Sequence, residues 1–220
     1  QFAQGTFEQA RAQVVDDVSE RHRLDAVRRD FVANISHELK TPVGAVAVLA
    51  DTLIDEDDPA VVRRLAERIR TEALRMTSTV DDLVELSRIE TGDLPERAAV
   101  SVEAAVTAAI DRAAAAAEVA GVRVSAGDIG TGLSVVGERR QLVSALTNLL
   151  DNAVKYSDRG GLVSVAARAD GSFVEIEVVD HGIGIPARDL DRIFERFYRV
   201  DPARRRDTGG TGLGLAIVRH

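Results

Sequence analysis

Asn148, Asn152, Lys155 and Tyr156 stand at i, i+4, i+7 and i+8. On a helix they share one face, which then carries two amides, an ammonium and a phenol. Amide oxygens suit Mg²⁺, which keeps several waters and takes few protein ligands. A lysine suits phosphate, and a tyrosine ring can pack against a base. A solvated polar face would show the same residues, so this helix does not decide alone. Asp180-His181-Gly182-Ile183-Gly184-Ile185-Pro186 follows a strand-like run. An aspartate at a strand end can accept from an exocyclic amine, and Gly182 and Gly184 permit close approach of backbone to a ligand. Further on, Gly209-Gly210-Thr211-Gly212-Leu213-Gly214-Leu215 precedes the last helical stretch. Glycines before a helix leave N–H groups available to phosphate. The first glycine segment does not open a helix as a dinucleotide fingerprint does. The second lacks the Gly-Lys-Ser/Thr ending of a P-loop. A flexible linker accounts for one glycine loop, but the ordered set of three points further.

The other unusual group lies upstream, in Ser36-His37-Glu38-Leu39-Lys40-Thr41-Pro42. His37 and Thr41 are four apart and share a helix face. Pro42 removes one backbone hydrogen bond and bends the axis. A histidine beside a glutamate, one turn from a threonine and next to a built-in bend, is odd for a helix that only supports. An exposed surface histidine remains the plain alternative.

These groups need elements to hold them. Leu24, Val27, Phe31, Ile35, Leu39, Val43, Val46, Leu49 and Leu53 recur at three- to four-residue steps, which predicts one helix of some thirty residues, about 45 Å long. Asp55-Glu56-Asp57-Asp58-Pro59 breaks it, with Asp58 as N-cap and Pro59 at the first position of the next helix. The second stripe runs Val62, Leu65, Ile69, Ala73, Met76, Val80, Leu83, Leu86 or Ser87, and Ile89, and stops at Thr91-Gly92-Asp93-Leu94-Pro95. Two such helices make a hairpin whose apolar face is too wide for it to cover, so two hairpins should pair into a four-helix dimer. A purely structural coiled coil would share this pattern. After Pro95 the pattern changes. Ser101 caps an alanine-rich helix ending near Gly121, Val122–Ser125 and Leu133–Val136 look like strands, and Glu138–Tyr156 reads as a helix. Leu162–Ala169 and Phe173–Val179 alternate like antiparallel strands around Asp170-Gly171, and a short helix is expected over 187–198. This order predicts an α+β chain: a helical hairpin, then an α/β sandwich with helices on one face of a mixed sheet.

Composition narrows the class. The 220 residues carry a net charge of -8, with 45% apolar and 29% charged side chains and no cysteine. That is globular, excludes disulfides and a thiol nucleophile, and gives no overall positive field for nucleic acid. The uncharged stretch Pro42–Ala50 is far short of the ~20 residues that cross a bilayer, so no membrane contact is expected within this chain. The chain begins at Gln1 with no signal-peptide pattern, and reads as a piece of something longer.

Phe31-Val-Ala-Asn-Ile-Ser-His37-Glu38-Leu-Lys-Thr41-Pro42 resembles the phosphoacceptor box of sensor histidine kinases. Asn148-Leu-Leu-Asp-Asn152-Ala-Val-Lys155-Tyr156-Ser resembles their asparagine box, and Asp180-His-Gly182-Ile-Gly184 their first glycine box. Phe194-Glu-Arg196-Phe197-Tyr198-Arg199 is similar to the phenylalanine box, and Gly210-Thr-Gly212-Leu213-Gly214-Leu to the second glycine box. All five come in family order over residues 19–220. Val14–Glu20 resembles the exit of a PAS-type sensory domain. The resemblance implies three parts: a sensory remnant over 1–18, a dimerisation and phosphotransfer domain over 19–94, and a catalytic ATP-binding domain over 95–220.

It also implies roles. Asp180 would accept from the adenine amino group, Asn152 and Asn148 would hold Mg²⁺, Lys155 would contact phosphate and Tyr156 the adenine side. Residues 183–212 would form a mobile lid over ATP, anchored by Phe194 and Phe197, with Arg196 and Arg199 meeting phosphate or the other domain. Gly210, Gly212, Leu213 and Gly214 would complete the pocket. His37 would attack the γ-phosphorus while Glu38 takes the proton from its other ring nitrogen. The phosphoryl group would pass to an aspartate of a response regulator, and Thr41 would orient water for the reverse, phosphatase reaction. The family's ATP-binding domain continues past the second glycine box, so the sheet is expected to be incomplete at His220. The expected setting is the cytoplasm, with the full-length protein anchored in a membrane upstream. Chaperone- or gyrase-type ATPases are the neighbouring class, but they place a glutamate where Asn148 stands and lack the His37 and phenylalanine boxes. A dimeric scaffold without activity is opposed by the intact Asn152, Asp180 and glycine boxes.

Overall fold

The computed structural model describes residues 32–91, 97–200 and 210–219. The sensory remnant over 1–18, the helix start over 19–31 and the middle of the expected lid, 201–209, lie outside the described residues. The chain forms two compact units, 1–76 and 77–220.

In the first unit, helix α1 runs over 32–54 and is followed by the start of α2, Pro59–Thr91. The expected cap is present: the Asp58 carboxylate accepts from the Ala60 N–H at 2.8 Å, which satisfies one of the orphan donors of a helix start. The stripe residues Ile35, Leu39, Val46, Leu49, Leu53, Val62 and Ile69 are half-buried, and Leu65 is buried. Val43, Val48, Ile54 and Leu74 stay largely exposed. The hairpin thus leaves much of its apolar surface uncovered.

The second unit begins with the last turns of α2, so the boundary by compactness falls inside that helix. Then come β1 (Ala98–Ser101), α3 (Val102–Ala120), β2 (Arg123–Ile129), β3 (Ser134–Gly137), α4 (Arg139–Tyr156), β4 (Leu162–Asp170) and β5 (Phe173–Val179). A single 3-10 turn at Ala187–Asp189 and a last helix, α5 (Gly214–Arg219), complete it. The Ser101 hydroxyl caps α3 by accepting from Ala104 N–H, and Gly121 closes it in the left-handed conformation, φ 68°, which costs glycine little. β2 runs parallel to β4, and β4 antiparallel to β5, so the three-stranded sheet is mixed; β1 and β3 form a separate antiparallel pair.

The core lies where α3 and α4 meet β4. Val102, Ala105, Val106, Ala109, Ala113 and Ala117 line one face of α3, and the small alanines let α4 approach closely. Val163, Val165 and Ala167 alternate inward along β4, the period of two that a strand imposes. Leu150 of α4 is fully buried, a side chain whose burial stabilises the fold by about 1.5–3 kcal/mol. One expectation fails. No helix spans 187–198; after the 3-10 turn the chain continues through turns. Gly184 upstream and Phe197 within the segment both have positive φ, and such residues interrupt helical repetition. Among the described residues no helix is long and apolar enough to cross a membrane.

Candidate functional site

In the first unit, α1 runs unbroken through Pro42. His37 is exposed, and its Nδ1 lies 3.8 Å from Glu38 Oε1. The glutamate thus faces Nδ1 rather than Nε2. The Thr41 hydroxyl donates to the His37 carbonyl oxygen at 3.1 Å, a back-bond of a kind common for threonine in helices. In this state Thr41 serves the backbone of the turn that carries His37.

In the second unit, α4 presents the asparagine face. The Asn148 amide donates from Nδ2 to the Ser144 carbonyl at 3.2 Å. This fixes the rotamer and turns Oδ1 toward the glycine loop: a Cβ built on Gly214 would meet that oxygen at 2.5 Å. Asn152, one turn on, is half-buried. Lys155 lies 5.1 Å above the Tyr156 ring, and a Cβ on Gly210 would come within 2.5 Å of its Nζ. The second glycine box therefore lies against the asparagine face, close to the Lys155 and Asn148 side-chain tips.

The first glycine box sits at the end of the same helix. Asp180 Oδ1 accepts from the Gly182 N–H at 2.8 Å, and the Ile183 N–H donates to the Tyr156 carbonyl. A Cβ on Gly182 would run into that same carbonyl oxygen, so only glycine lets the loop close on α4. Asp180 itself is exposed.

The phenylalanine box is tied to the second glycine box. The Phe197 N–H donates to the Gly212 carbonyl at 2.9 Å, and Arg199 donates to the Gly210 carbonyl at 2.6 Å. Phe197 has φ 62°. A Cβ on Gly212 would lie 2.8 Å from Phe197 Cα. Phe194 and Arg196 are half-buried. Tyr198 donates to Asp189 Oδ1 at 2.6 Å and stacks under Arg192 at 4.3 Å.

The asparagine, both glycine and the phenylalanine boxes thus converge around the C-terminal part of α4; His37, Glu38 and Thr41 lie in the other unit. Two hydrogen bonds to α2 escaped the sequence reading. The Thr211 hydroxyl donates to Asp82 Oδ2 of α2 at 2.8 Å, and Ser144 donates to Glu85 Oε2 at 2.7 Å. Thr79 and Leu86 of the same helix are buried. The signal was a carboxylate within the apolar stripe, between Val80 and Leu83, at positions i, i+3 and i+7 of Thr79, Asp82 and Leu86.

Comparison with known proteins matches two family models: the His Kinase A (phospho-acceptor) domain over residues 27–92, and the histidine kinase-, DNA gyrase B- and HSP90-like ATPase over residues 137–220. The sensor-like histidine kinase SenX3 of Mycolicibacterium smegmatis is 50% identical over 208 residues, which is 94% of this chain and 54% of that protein. The solved structure of the Acinetobacter baumannii histidine kinase AdeS is 25% identical, covers 83% of each chain and superposes with a TM-score of 0.61. The structure of full-length ShkA in complex with AMPPNP is 27% identical, with a TM-score of 0.58 over 84% of this chain and 39% of that one. The chain spans about half the length of the curated relatives it matches. The hairpin with His37 exposed on α1 and the sandwich with its asparagine and glycine boxes, matched in order by the two family models, place this chain in the sensor histidine kinases of two-component systems.

Proposed function

We propose that this chain is the kinase core of a two-component sensor: it transfers the γ-phosphoryl of ATP to His37 and then to an aspartate of a response regulator. The convergence of four nucleotide-directed motifs on α4 carries the reading, with Asn148 Oδ1 aimed at the glycine loop. Asp180 accepts the adenine amine on the oxygen that Gly182 leaves, Tyr156 packs beside the base and Lys155 neutralises phosphate. Gly210, Gly212, Leu213 and Gly214 shape the loop around the phosphates, Phe194 and Phe197 anchor the 183–212 segment, and Arg196 and Arg199 support it. The two amide oxygens of Asn148 and Asn152, neutral and one turn apart, fit a Mg²⁺ that keeps most of its waters. When bound, that ion would neutralise charge on the transferring phosphate.

His37 attacks through Nε2 while Glu38 holds the proton at Nδ1; the bond to the γ-phosphorus forms as the bond to ADP breaks. The domains assigned are phosphotransfer over 19–94 and ATP-binding over 95–220, acting as a homodimer in the cytoplasm. The exposed Val43, Val48, Ile54 and Leu74 of the hairpin support the dimer. Incubation with γ-labelled ATP and Mg²⁺ tests the reaction. Label on protein that is lost in acid and kept in base identifies phosphohistidine; base-labile label would refute it.

Thr41→Ala separates two activities on this reading. Transfer from ATP needs a nucleophile, a base and in-line geometry, none of which Thr41 supplies. Hydrolysis of a regulator's phosphoaspartate needs a placed water, which a hydroxyl one turn from His37 can orient once it leaves the His37 carbonyl. The expected result is a kinase rate within about twofold and a phosphatase rate reduced at least about a hundredfold, the lower end of the range for a removed proton-transfer or positioning group. A parallel fall of both rates would mean that the back-bond of Thr41 matters only to the helix.

A further inference from the structure

We propose that the Asp82 carboxylate and the Thr211 hydroxyl form a latch that holds the second glycine box on α2, and that a bound triphosphate and α2 compete for this loop. The inference rests on the nucleotide reading above. A threonine hydroxyl has one hydrogen to give. Here it goes to Asp82 Oδ2 at 2.8 Å, while the hydroxyl oxygen accepts from the Leu213 N–H at 3.1 Å. Asp82 therefore fixes the rotamer of a side chain that braces the loop from within. The contact is not isolated. Glu85, three residues on, accepts from Ser144 of α4, and Thr79 and Leu86 on the same face are buried. One side of α2 is thus docked on the domain by two hydrogen bonds flanked by apolar burial.

The charges around the loop oppose one another. Glu85 and Asp81 of α2 and Asp151 of α4 act on the Asp82 carboxyl. On the other flank, Lys155 approaches Gly210 and Arg199 binds the Gly210 carbonyl. A triphosphate adds several negative charges beside Asp82, in a partly buried setting where repulsion is weakly screened. Both occupants cannot be well placed at once, so filling the loop favours release of α2.

The latch also senses protons. Burial of the docked Asp82 pushes its carboxyl up from 3.8 to about 6; the Thr211 hydrogen bond lowers it in part, and Glu85, Asp81 and Asp151 add to the rise. Undocked and solvated, the group returns toward its ordinary value. Docking therefore takes up a proton: it is strongest in acid and weakens as pH rises through about 6. Between pH 5 and pH 8 the ratio of docked to open molecules should fall about tenfold.

The chain has no cysteine, so paired spin labels can be placed at Val84→Cys on α2 and Phe173→Cys on β5, both exposed positions. Labelled chain is diluted with excess unlabelled chain, and the distance distribution is read by pulsed dipolar spectroscopy. The expected result is a dominant short distance at pH 5, a loss of about tenfold in its ratio to longer distances at pH 8, and further loss on adding Mg²⁺ with AMPPNP. In an Asp82→Asn background, which keeps an acceptor but cannot ionise, the short distance should persist at pH 8. A distribution that stays flat between pH 5 and 8, or an Asp82→Asn protein that follows pH as the parent does, overturns the latch. So does AMPPNP that binds, read by displacement of a fluorescent nucleotide, without moving the distance. A pH response with no nucleotide binding at all would support the latch and overturn the nucleotide reading.

Discussion

Replacing His37 by glutamine abolishes acid-labile labelling from γ-labelled ATP, a loss of at least about a thousandfold, and leaves the affinity for nucleotide within twofold. The magnitude follows from the chemistry: glutamine fills a similar volume and keeps a polar tip, but has no lone-pair nitrogen basic enough to attack phosphorus. The selectivity follows from the structure. His37 is exposed on α1 in one compact unit, and every residue assigned to the nucleotide is in the other. Labelling and fluorescent-nucleotide titration of the same preparation read the two quantities side by side. Persistent label in the glutamine variant would move the phosphoacceptor to another residue; a large loss of affinity would mean that His37 supports the fold.

The reverse split is expected at Asp180. Its Oδ1 already accepts from Gly182 N–H, so a second donor, the adenine amine, needs Oδ2. Asparagine replaces one of these two oxygens by an NH₂, which donates and cannot accept from the loop or the base. Losing a charge-assisted hydrogen bond costs about 1.5–3 kcal/mol, so Asp180→Asn should weaken ATP about 10- to 100-fold. Asn152→Ala should weaken Mg²⁺-ATP by a similar factor and affect the metal-free nucleotide much less. Titrations with and without Mg²⁺ distinguish the two variants. Unchanged affinity in Asp180→Asn would remove this residue from base recognition.

Much of this arrangement was legible because each motif sits where its local rule places it. Asp58 before Pro59, Ser101 before the alanine-rich run and Gly121 after it all cap helices as their types require. The four polar residues of α4 fall on one face through the 3.6-residue period. The segment 187–198 misled because its apolar residues, Ile193, Phe194 and Phe197, have helical spacing while the Phe197 N–H and the Arg199 guanidinium donate to the Gly212 and Gly210 carbonyls across the loop. Tertiary partners override a short helical pattern, and no local signal reports them. Asp82 was hidden for the same reason: its partner, Thr211, is 129 residues away. Only the misplaced charge in the α2 stripe hinted at it.

Phe197 holds a stored bias. A bulky residue at φ 62° occupies a backbone region that costs about 1–3 kcal/mol for a side chain of this kind. The hydrogen bond to the Gly212 carbonyl keeps it there, and only a residue without a Cβ at 212 allows the approach. The Phe197–Gly212 contact is therefore held under strain. Letting go of Gly212 returns that energy, equivalent to roughly a 5- to 150-fold tilt of the equilibrium toward release. A loop that opened against an unstrained phenylalanine would lack this push. In this chain, the residue that holds Gly212 is also the one whose backbone favours its release.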